Sequence, residues 1–170
     1  MHAVFALKAG YEVVQVERDV EALSASVRNF GLIWVSGRAS GAELDLALRA
    51  RLLWQDVGAM ANIGFRGNGS LTIARNDAEF GVLQEAASME DSDARGFEIL
   101  HKREVQQLEP ILNGSFVGAL RCSLDAVVEP QMLFKGLREQ LLKNKNYQWI
   151  NNFEAVGFRQ SESGNHIVNS

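Results

Sequence analysis

The chain has 170 residues, of which 46% are hydrophobic and 22% are charged, a composition typical of one globular domain of medium size. Its formal net charge is −4 and its Lys and Arg residues are spread along the chain, so no basic run favours nucleic-acid binding. The single cysteine excludes an internal disulfide and favours a reducing, cytoplasmic setting, while the apolar runs are far shorter than the roughly 20 residues of a membrane helix.

The first elements read as the second half of a βαβ unit. "HAVFALKAGYE" predicts a short helix that closes on Gly10, a natural residue at a left-handed helix end. "EVVQVE", residues 12–17, predicts a buried strand because three of its six residues are valine. The strand ends in the acid Glu17.

The clearest predicted helix spans residues 41–62. Ser40, followed by Glu43 three residues later, predicts a capping box. Apolar residues then recur at spacings of four and three, which predicts one buried face formed by Leu46, Ala50, Leu53, Val57 and Met60.

The rest of the chain alternates shorter elements. "GSLTIAR" predicts a strand. A second helix is predicted to start at its capping residue Asp77, a third to stop at Pro110, and a fourth to begin at Pro130. The last of these helices has a predicted inner stripe of Met132, Leu133, Gly136, Leu137, Gln140 and Leu141. "YQWINN", "EAVGFRQ" and "NHIVNS" predict short strands, the last two joined by a hairpin loop, "SESG".

Glu17 is the first candidate site residue. A carboxylate at the end of the second strand of a dinucleotide-binding fold accepts hydrogen bonds from ribose hydroxyls. Position alone also allows a solvated strand-end carboxylate. Arg18 could favour a nucleotide phosphate or be exposed.

A second candidate is the loop that follows. It combines small hydroxyl residues with an arginine and an amide, the groups that a pyrophosphate requires: Ser24, Ser26, Arg28 and Asn29. A plain loop has much the same composition, so both interpretations stay open.

The other reactive side chains favour structural roles. The three histidines share no metal-ligand spacing, so no metal site is predicted. Cys122 lies in an apolar, strand-like run that favours an inert buried thiol. Arg121 could meet an anionic substrate or lie on the surface. Trp34 has the best claim of the three tryptophans to a cofactor contact, although a core or interface position is the commoner role.

Three blocks of sequence, in order, resemble the glycine oxidase and D-amino-acid oxidase superfamily of FAD-dependent enzymes. They are "GYEVVQVERD…SASVRNFGLIW", then "LEPIL" with "GALRCSLDAVVEPQMLFKGL", and then "NNFEAVGF". The spelling "ASVRNFGLIW" is most similar to bacterial members associated with aminophosphonate metabolism. The resemblance extends from residue 1 to about residue 168.

The resemblance implies an α/β fold: a partial FAD-binding Rossmann-like domain at residues 1–67 and 118–170, with an inserted α+β substrate-domain segment at residues 68–117. It implies oxidation of an amine or amino-acid-like small molecule by hydride transfer to flavin, followed by imine hydrolysis. The implied FAD contacts are Glu17, Arg18, Ser24, Ser26, Arg28, Asn29, Gly31 and the backbone of Val156. Gly31 belongs to the "RN-x-G" segment that leads under the isoalloxazine ring in the family.

The chain departs from the family at its start. Family members open with a strand and G-x-G-x-x-G, whose backbone N–H groups hold the pyrophosphate, whereas residues 1–10 already read as the following helix. The sequence therefore predicts an internal portion of a flavoenzyme, with weak FAD retention and self-association through the sheet edge that the first strand would fill. Two alternatives remain: a non-catalytic fragment, and a nucleotide-binding or protein-interaction module that does not retain FAD.

Overall fold

The computed structural model describes residues 1–160 and 166–169, so the predicted hairpin loop at 161–164 lies outside the described residues. The mixture of helices and strands confirms the predicted α/β class. The described helices are α1 (His2–Lys8), α2 (Ala42–Met60), α3 (Asp77–Ala87), α4 (Ser92–Arg95), α5 (Lys102–Leu108) and α6 (Pro130–Leu141). The described strands are β1 (Val13–Val16), β2 (Leu32–Ile33), β3 (Ser70–Ala74), β4 (Phe97–His101), β5 (Gly118–Cys122), β6 (Ala126–Val127), β7 (Tyr147–Ile150), β8 (Gly157–Gln160) and β9 (His166–Asn169).

The chain divides into two compact units. The first unit consists of Met1–Phe30, Met60–Ile63 and Glu129–Ser170, and the second of Gly31–Ala59 and Gly64–Val128. These units describe packing. The division into a FAD-binding domain and a substrate-domain segment, with boundaries at residues 67/68 and 117/118, stays a prediction.

The first unit contains the valine-rich strand that the sequence predicts, but Val14 at its centre is 61% exposed and not buried. β1 pairs with β7 in parallel, from Val13 opposite Tyr147 to Val16 opposite Ile150. The predicted strand at residues 12–17 is therefore two residues shorter in the structure, and Glu17 is the first residue after it. The C-terminal strands β8 and β9 pair with each other in antiparallel register.

Helix α6 begins at Pro130, as predicted, because a fixed φ and a missing N–H suit a first helical turn. Its buried face includes Leu133, Leu137 and Leu141, which confirms the centre of the predicted stripe, whereas Met132 is exposed. The helix packs closely at Gly136, where an added Cβ would overlap the backbone carbonyl of Asn62.

The second unit is built on a three-stranded antiparallel sheet with the order β3-β5-β4. Residues that are directly opposite in such a sheet point to the same side. The register therefore divides the sheet into two faces. One face carries Leu71, Ile73, Glu98, Leu100, Ala119 and Arg121; the other carries Ser70, Thr72, Phe97, Ile99, Leu120 and Cys122.

Each face of this sheet has its own apolar cluster. On the first face, Leu100 and Ala119 pack with Val105 of α5 and with Phe116. On the second face, Cys122 packs with Val35 and with Leu44 of α2. The second cluster therefore joins the sheet to the segment that leads from β2 into α2.

The long helix α2 forms at the predicted place but buries a different face. Leu44 and Val57 are buried, whereas Leu46 is 65% exposed and Leu53 is 41% exposed. The predicted stripe is therefore wrong at Leu46 and Leu53 and confirmed at Val57. Apolar residues surround much of this helix, so spacing alone cannot select the buried face.

The predicted helix caps need correction. Helix α2 begins at Ala42, and the Ser40 hydroxyl instead accepts a hydrogen bond from Arg95 Nη2 (3.3 Å). Helix α3 is capped by Asn76, one residue before the predicted Asp77, and the Asn76 side chain accepts a hydrogen bond from the backbone of Glu79 (2.9 Å).

A short pair of strands and a closely packed glycine complete the second unit. β2 pairs with β6 in antiparallel register, Leu32 opposite Val127 and Ile33 opposite Ala126. Gly69, with φ +82°, precedes β3, and a Cβ there would lie 2.7 Å from the carbonyl oxygen of Cys122. A glycine is thus required where the chain enters the sheet.

Candidate functional site

Glu17 lies at the carboxyl end of the parallel strands β1 and β7. Its backbone N–H donates to the carbonyl of Ile150 (2.9 Å), and its own carbonyl accepts from Phe153 N–H (2.9 Å). The Glu17 side chain is half-buried, and Oε1 accepts from the backbone N–H of Asp19 (3.1 Å). The carboxylate is therefore held at the edge where nucleotides bind in open α/β sheets.

Glu17 lines a cavity of about 130 Å³ within the first unit, together with Ser26, Gln15 and Arg138. The Arg138 guanidinium stacks over the ring of Trp149, 4.1 Å from its centroid. A hydroxyl, an amide and a guanidinium thus surround the carboxylate. This set can donate to and accept from a hydroxylated ligand.

The Tyr147 hydroxyl donates to Gln15 Oε1 (2.9 Å), and burial raises the pKa of Tyr147. The phenol therefore stays protonated and fixes the Gln15 amide near the cavity. Arg138 also lies 3.8 Å from Glu21 Oε1, a contact too exposed at the glutamate to contribute much.

The predicted phosphate loop forms a short 3₁₀ turn, Ala25–Val27, in the first unit. The Asn29 amide donates to the carbonyl of Ser26 (2.7 Å), which fixes the end of the turn. Ser24, Ser26, Arg28 and Asn29 are all exposed. The structure brings Glu17 and Ser26 to one cavity and leaves the other loop side chains facing solvent.

The remaining predicted FAD contacts are dispersed. Arg18 is exposed and lies 3.6 Å from the carboxylate of Asp19. Val156 is 69% exposed in the segment before β8. Gly31, in the second unit, is buried with φ +67°, and its carbonyl accepts from Val128 N–H (2.9 Å).

Arg121, the predicted substrate ligand, binds Glu98 across the sheet at 3.1 Å. The pairing register places it on the face opposite to Ser70 and Thr72. Its role in substrate binding stays a prediction.

A buried carboxylate that sequence analysis did not single out organises the second unit. Asp125 is 5% exposed, and its Oδ1 accepts from the backbone N–H groups of Val35 (2.7 Å) and Ser36 (3.0 Å). Its Oδ2 accepts from the hydroxyls of Ser36 (2.7 Å) and Ser70 (2.6 Å). Burial alone would raise the pKa of Asp125, but these four hydrogen bonds outweigh it and lower the pKa. The site is therefore an anionic anchor for the loop after β2.

This anchor also fixes Trp34. The indole Nε1–H donates to the Ser36 hydroxyl (2.6 Å), and that hydroxyl donates to Asp125. Arg38 donates to the carbonyl of Trp34 (3.0 Å) and lies 5.5 Å from its ring centroid. The ring is 48% exposed yet held on both sides, so it presents a fixed aromatic surface.

Arg95 holds the same loop from another direction. Its guanidinium is buried and donates from Nη1 to the carbonyls of Ser36 (3.2 Å) and Arg38 (2.7 Å). Its Nη2 donates to Asp91 Oδ2 at 2.7 Å. This hydrogen bond to Arg95 lowers the pKa of Asp91 to about 2, so the pair stays ionised over the physiological range.

Cys122 lies beneath this arrangement, with its thiol 3.1 Å from the carbonyl of Arg95. Burial, followed by the nearby charge of Asp125, raises the pKa of the Cys122 thiol. A protonated, buried thiol is a poor nucleophile, as its apolar sequence context predicts.

Two cavities of the second unit flank Trp34. One, of about 190 Å³, is lined by Trp34, Ser36, Thr72 and Asp125 together with β2 and β6. The other, of about 280 Å³, lies between β2 and α2 and includes Trp34, Arg38 and Trp54. Mostly apolar walls with a few fixed polar groups are typical of small-molecule sites.

No cluster of three or more His, Cys, Asp or Glu side chains in the described part of the chain could hold a metal ion. None of the helices described combines the length and apolar character needed to cross a bilayer.

The sequence matches the FAD dependent oxidoreductase family over residues 1–170. The chain belongs to this family. The match confirms the predicted resemblance, and the family description names FAD as its cofactor.

Individual relatives cover the chain well but are much longer. An opine oxidase subunit from Rhizobium meliloti is 25% identical over an alignment of 154 residues that covers 80% of this chain and 40% of that protein. Glycine oxidase from Bacillus cereus ATCC 14579 has a TM-score of 0.80 and 23% identity, over 94% of this chain and 46% of its own. L-alpha-glycerophosphate oxidase from Mycoplasma pneumoniae, solved with FAD bound, has a TM-score of 0.72 and 20% identity. The match covers 98% of this chain and 45% of that protein's chain.

The chain thus spans less than half the length of each of these relatives. The structural similarities establish the fold. They confirm the predicted Rossmann-like, glycine oxidase-like architecture.

Glu17 and Ser26 in the first unit have the chemistry to bind the hydroxyls of a ribose. A carboxylate offers about four acceptor positions, of which the Asp19 N–H occupies one at Glu17. The others can accept ribose hydroxyls, and Ser26 shares the cavity.

Proposed function

We propose that this chain forms part of an FAD-dependent oxidoreductase that oxidises an amine or an amino-acid-like small molecule by hydride transfer to flavin. The observation that carries the proposal is Glu17 at the carboxyl end of a parallel strand pair, lining one cavity with Ser26. The family match over the whole chain supports it. The aminophosphonate-associated subgroup stays a prediction.

Glu17 would bind the adenosine ribose through its remaining acceptor positions, with Ser26 as a neighbouring donor. Arg18 would supply positive charge beside it. The backbone of Val156 would contact the adenine. Each of these groups binds or orients; none transfers a proton or an electron.

The exposed groups of the 3₁₀ turn would bind the phosphates. Hydroxyls of Ser24 and Ser26, the Asn29 amide and the Arg28 guanidinium are donors suited to phosphate oxygens. Their exposure means that a ligand could reach them from solvent.

The second unit would position the reacting groups. Gly31 opens the segment that leads toward the flavin ring, and Asp125 holds its continuation through Val35 and Ser36. Trp34 would provide an apolar, water-excluding wall. FAD, when bound, supplies the hydride acceptor, so the chain itself needs no catalytic acid or base for electron transfer.

The proposal is tested by titrating residues 1–170 with FAD and following flavin fluorescence. We expect weak but saturable binding. The Glu17→Gln variant should bind FAD about tenfold more weakly, as expected for losing a hydrogen bond to a charged group of ~1.5 kcal/mol. Glu12→Gln, at an exposed carboxylate just before β1, is the matched control and should bind like the parent chain.

FMN separates the two ends of the cofactor because it lacks the adenosine. Glu17→Gln should leave FMN affinity unchanged. Equal losses for FAD and FMN would show that Glu17 acts through general folding. The absence of saturable FAD binding would favour a module that does not retain flavin.

We also propose a cytoplasmic location and self-association through β1. Within residues 1–160 and 166–169, β1 pairs with β7 alone, and Val14 at its centre is 61% exposed. An open, apolar strand edge is a template for pairing with another chain. Measurement of the mass in solution checks this; a monomer at all concentrations contradicts it.

A further inference from the structure

A groove of about 500 Å³ lies within the first unit, where the ends of α1 and α6 meet. Four apolar residues form its floor: Val4, Leu7, Met60 and Leu141. Three lysines form its rim: Lys8, Lys143 and Lys145. We call this cavity the basic groove.

The lysines of the basic groove are not neutralised by carboxylates. No aspartate or glutamate lines the groove in the described part of the chain. The ion pairs found among the described residues use none of the three lysines. The contact recorded for Lys143 is a hydrogen bond to the neutral Gln140 side chain (3.0 Å).

Helix ends provide only part of the missing negative charge. A helix C-terminus carries roughly half a negative charge, and α1 and α6 both end at the groove. Together they offset about one of the three positive charges. The basic groove therefore keeps a net charge of about +2, which matches a dianion.

The floor adds a second requirement. Val4 is 3% exposed and Leu141 is 8% exposed, so the floor is part of the apolar core of this unit. A cavity of this size accommodates a small organic molecule. Lysine ammonium groups are common phosphate ligands, acting as mobile point charges.

We propose that the basic groove binds a small amphiphilic dianion: a phosphate monoester whose head group meets the three lysines and whose apolar body lies on the floor. The Gln140 and Asn144 amides at the rim can donate to ester or phosphate oxygens. The basic groove shares Leu141 with the wall of the Glu17 cavity but has its own lysine rim, and binding there does not depend on flavin.

The test uses hexyl phosphate as the probe, with inorganic phosphate and hexanol as head-only and tail-only controls. Titration of the ¹⁵N-labelled chain by NMR reports both affinity and location. We expect amide shifts confined to the groove residues 4–8, 60 and 140–145, and an affinity at least tenfold higher for hexyl phosphate than for either control. The affinity should fall as salt rises.

A charge-matched pair of variants separates the groove from net charge. The triple variant Lys8→Gln, Lys143→Gln, Lys145→Gln should weaken hexyl phosphate binding at least tenfold. The control variant Arg49→Gln, Arg103→Gln, Lys135→Gln removes the same charge from positions outside the groove and should change affinity less than twofold.

Four results would overturn the proposal. Equal losses in the two triple variants would show non-specific attraction. Equal affinity for phosphate and hexyl phosphate would show that the apolar floor does not contribute to binding. Amide shifts outside the groove would show that hexyl phosphate binds elsewhere. A lack of saturation by hexyl phosphate, while an acidic peptide saturates the groove amides, would assign the groove to a protein partner.

Discussion

Replacing Asp125 with alanine should be among the most destabilising single changes in the second unit. The carboxylate accepts four hydrogen bonds, two from the backbone of Val35 and Ser36 and two from the hydroxyls of Ser36 and Ser70. Val35 is completely buried, so water cannot replace the lost acceptor at its N–H.

The magnitude follows from these contacts. A hydrogen bond to a charged group contributes about 1.5–3 kcal/mol, and an orphaned buried donor costs about 1–3 kcal/mol. The hydroxyls can turn toward other acceptors, so the two backbone donors dominate. We expect Asp125→Ala to lower the free energy of unfolding by roughly 3–5 kcal/mol.

Urea denaturation followed by circular dichroism measures this loss. Asp56→Ala, at an exposed position of α2, is the control and should change the free energy of unfolding by less than about 0.5 kcal/mol. A loss below about 1 kcal/mol for Asp125→Ala would show that the loop after β2 does not depend on the carboxylate.

The same experiment at low pH tests the sign of the effect. Four hydrogen bonds overcome burial and lower the pKa of Asp125. The stability that it contributes is therefore present above the unfolded aspartate pKa of about 3.9 and is lost as pH falls through the folded value. The difference between parent and Asp125→Ala should shrink on acidification, and a constant difference would refute the ionised anchor.

Two further predictions concern the packing of α6 and the ion pair between Asp91 and Arg95. Gly136→Ala should destabilise the chain by about 1–3 kcal/mol because its Cβ would overlap a backbone carbonyl. The control Gly81→Ala in α3 meets open space and should be neutral or stabilising. Similar unfolding midpoints for the two variants would contradict the close packing of α6. The hydrogen bond to Arg95 lowers the pKa of Asp91 to about 2, so the stability that Asp91 contributes is lost as pH falls from the ordinary aspartate pKa toward that value. The Asp91→Asn variant should lack this loss of stability on acidification. An unchanged acid transition would show that the ion pair is not coupled to folding.

The sequence predicts the secondary-structure elements better than it predicts which face of each element is buried. The valine-rich strand, the start of α6 at Pro130 and the long helix all depend on local signals, and each is present. Which side of α2 is buried depends on tertiary contacts, because Leu46 and Leu44 are equally apolar and only Leu44 meets the sheet cluster. Propensity cannot make that choice.

The same distinction between local signals and distant contacts applies to the residues of the candidate site. Glu17 is predictable because its strand and position are local features. Asp125 and Arg95 are not, since their partners lie far away in sequence. The signal that could have found Asp125 is an acid inside the apolar run "SLDAVVEP", where a carboxylate needs several donors to be buried. Ser40 illustrates the opposite error: its motif fits a cap, but a buried guanidinium competes for its hydroxyl.

The two anchors of the loop after β2 also bear on how the chain folds. Val35 binds Asp125 across a separation of 90 residues and Arg95 across 60 residues. Contacts between such distant residues require large loops to close before any of the hydrogen bonds can form. The aromatic surface of Trp34 should therefore become ordered late in folding, after the β3-β5-β4 sheet has assembled. In a variant in which Trp54 and Trp149 are replaced by phenylalanine, Trp34 fluorescence would then report the final step of folding. Mutations at Asp125 or Arg95 would mainly accelerate unfolding.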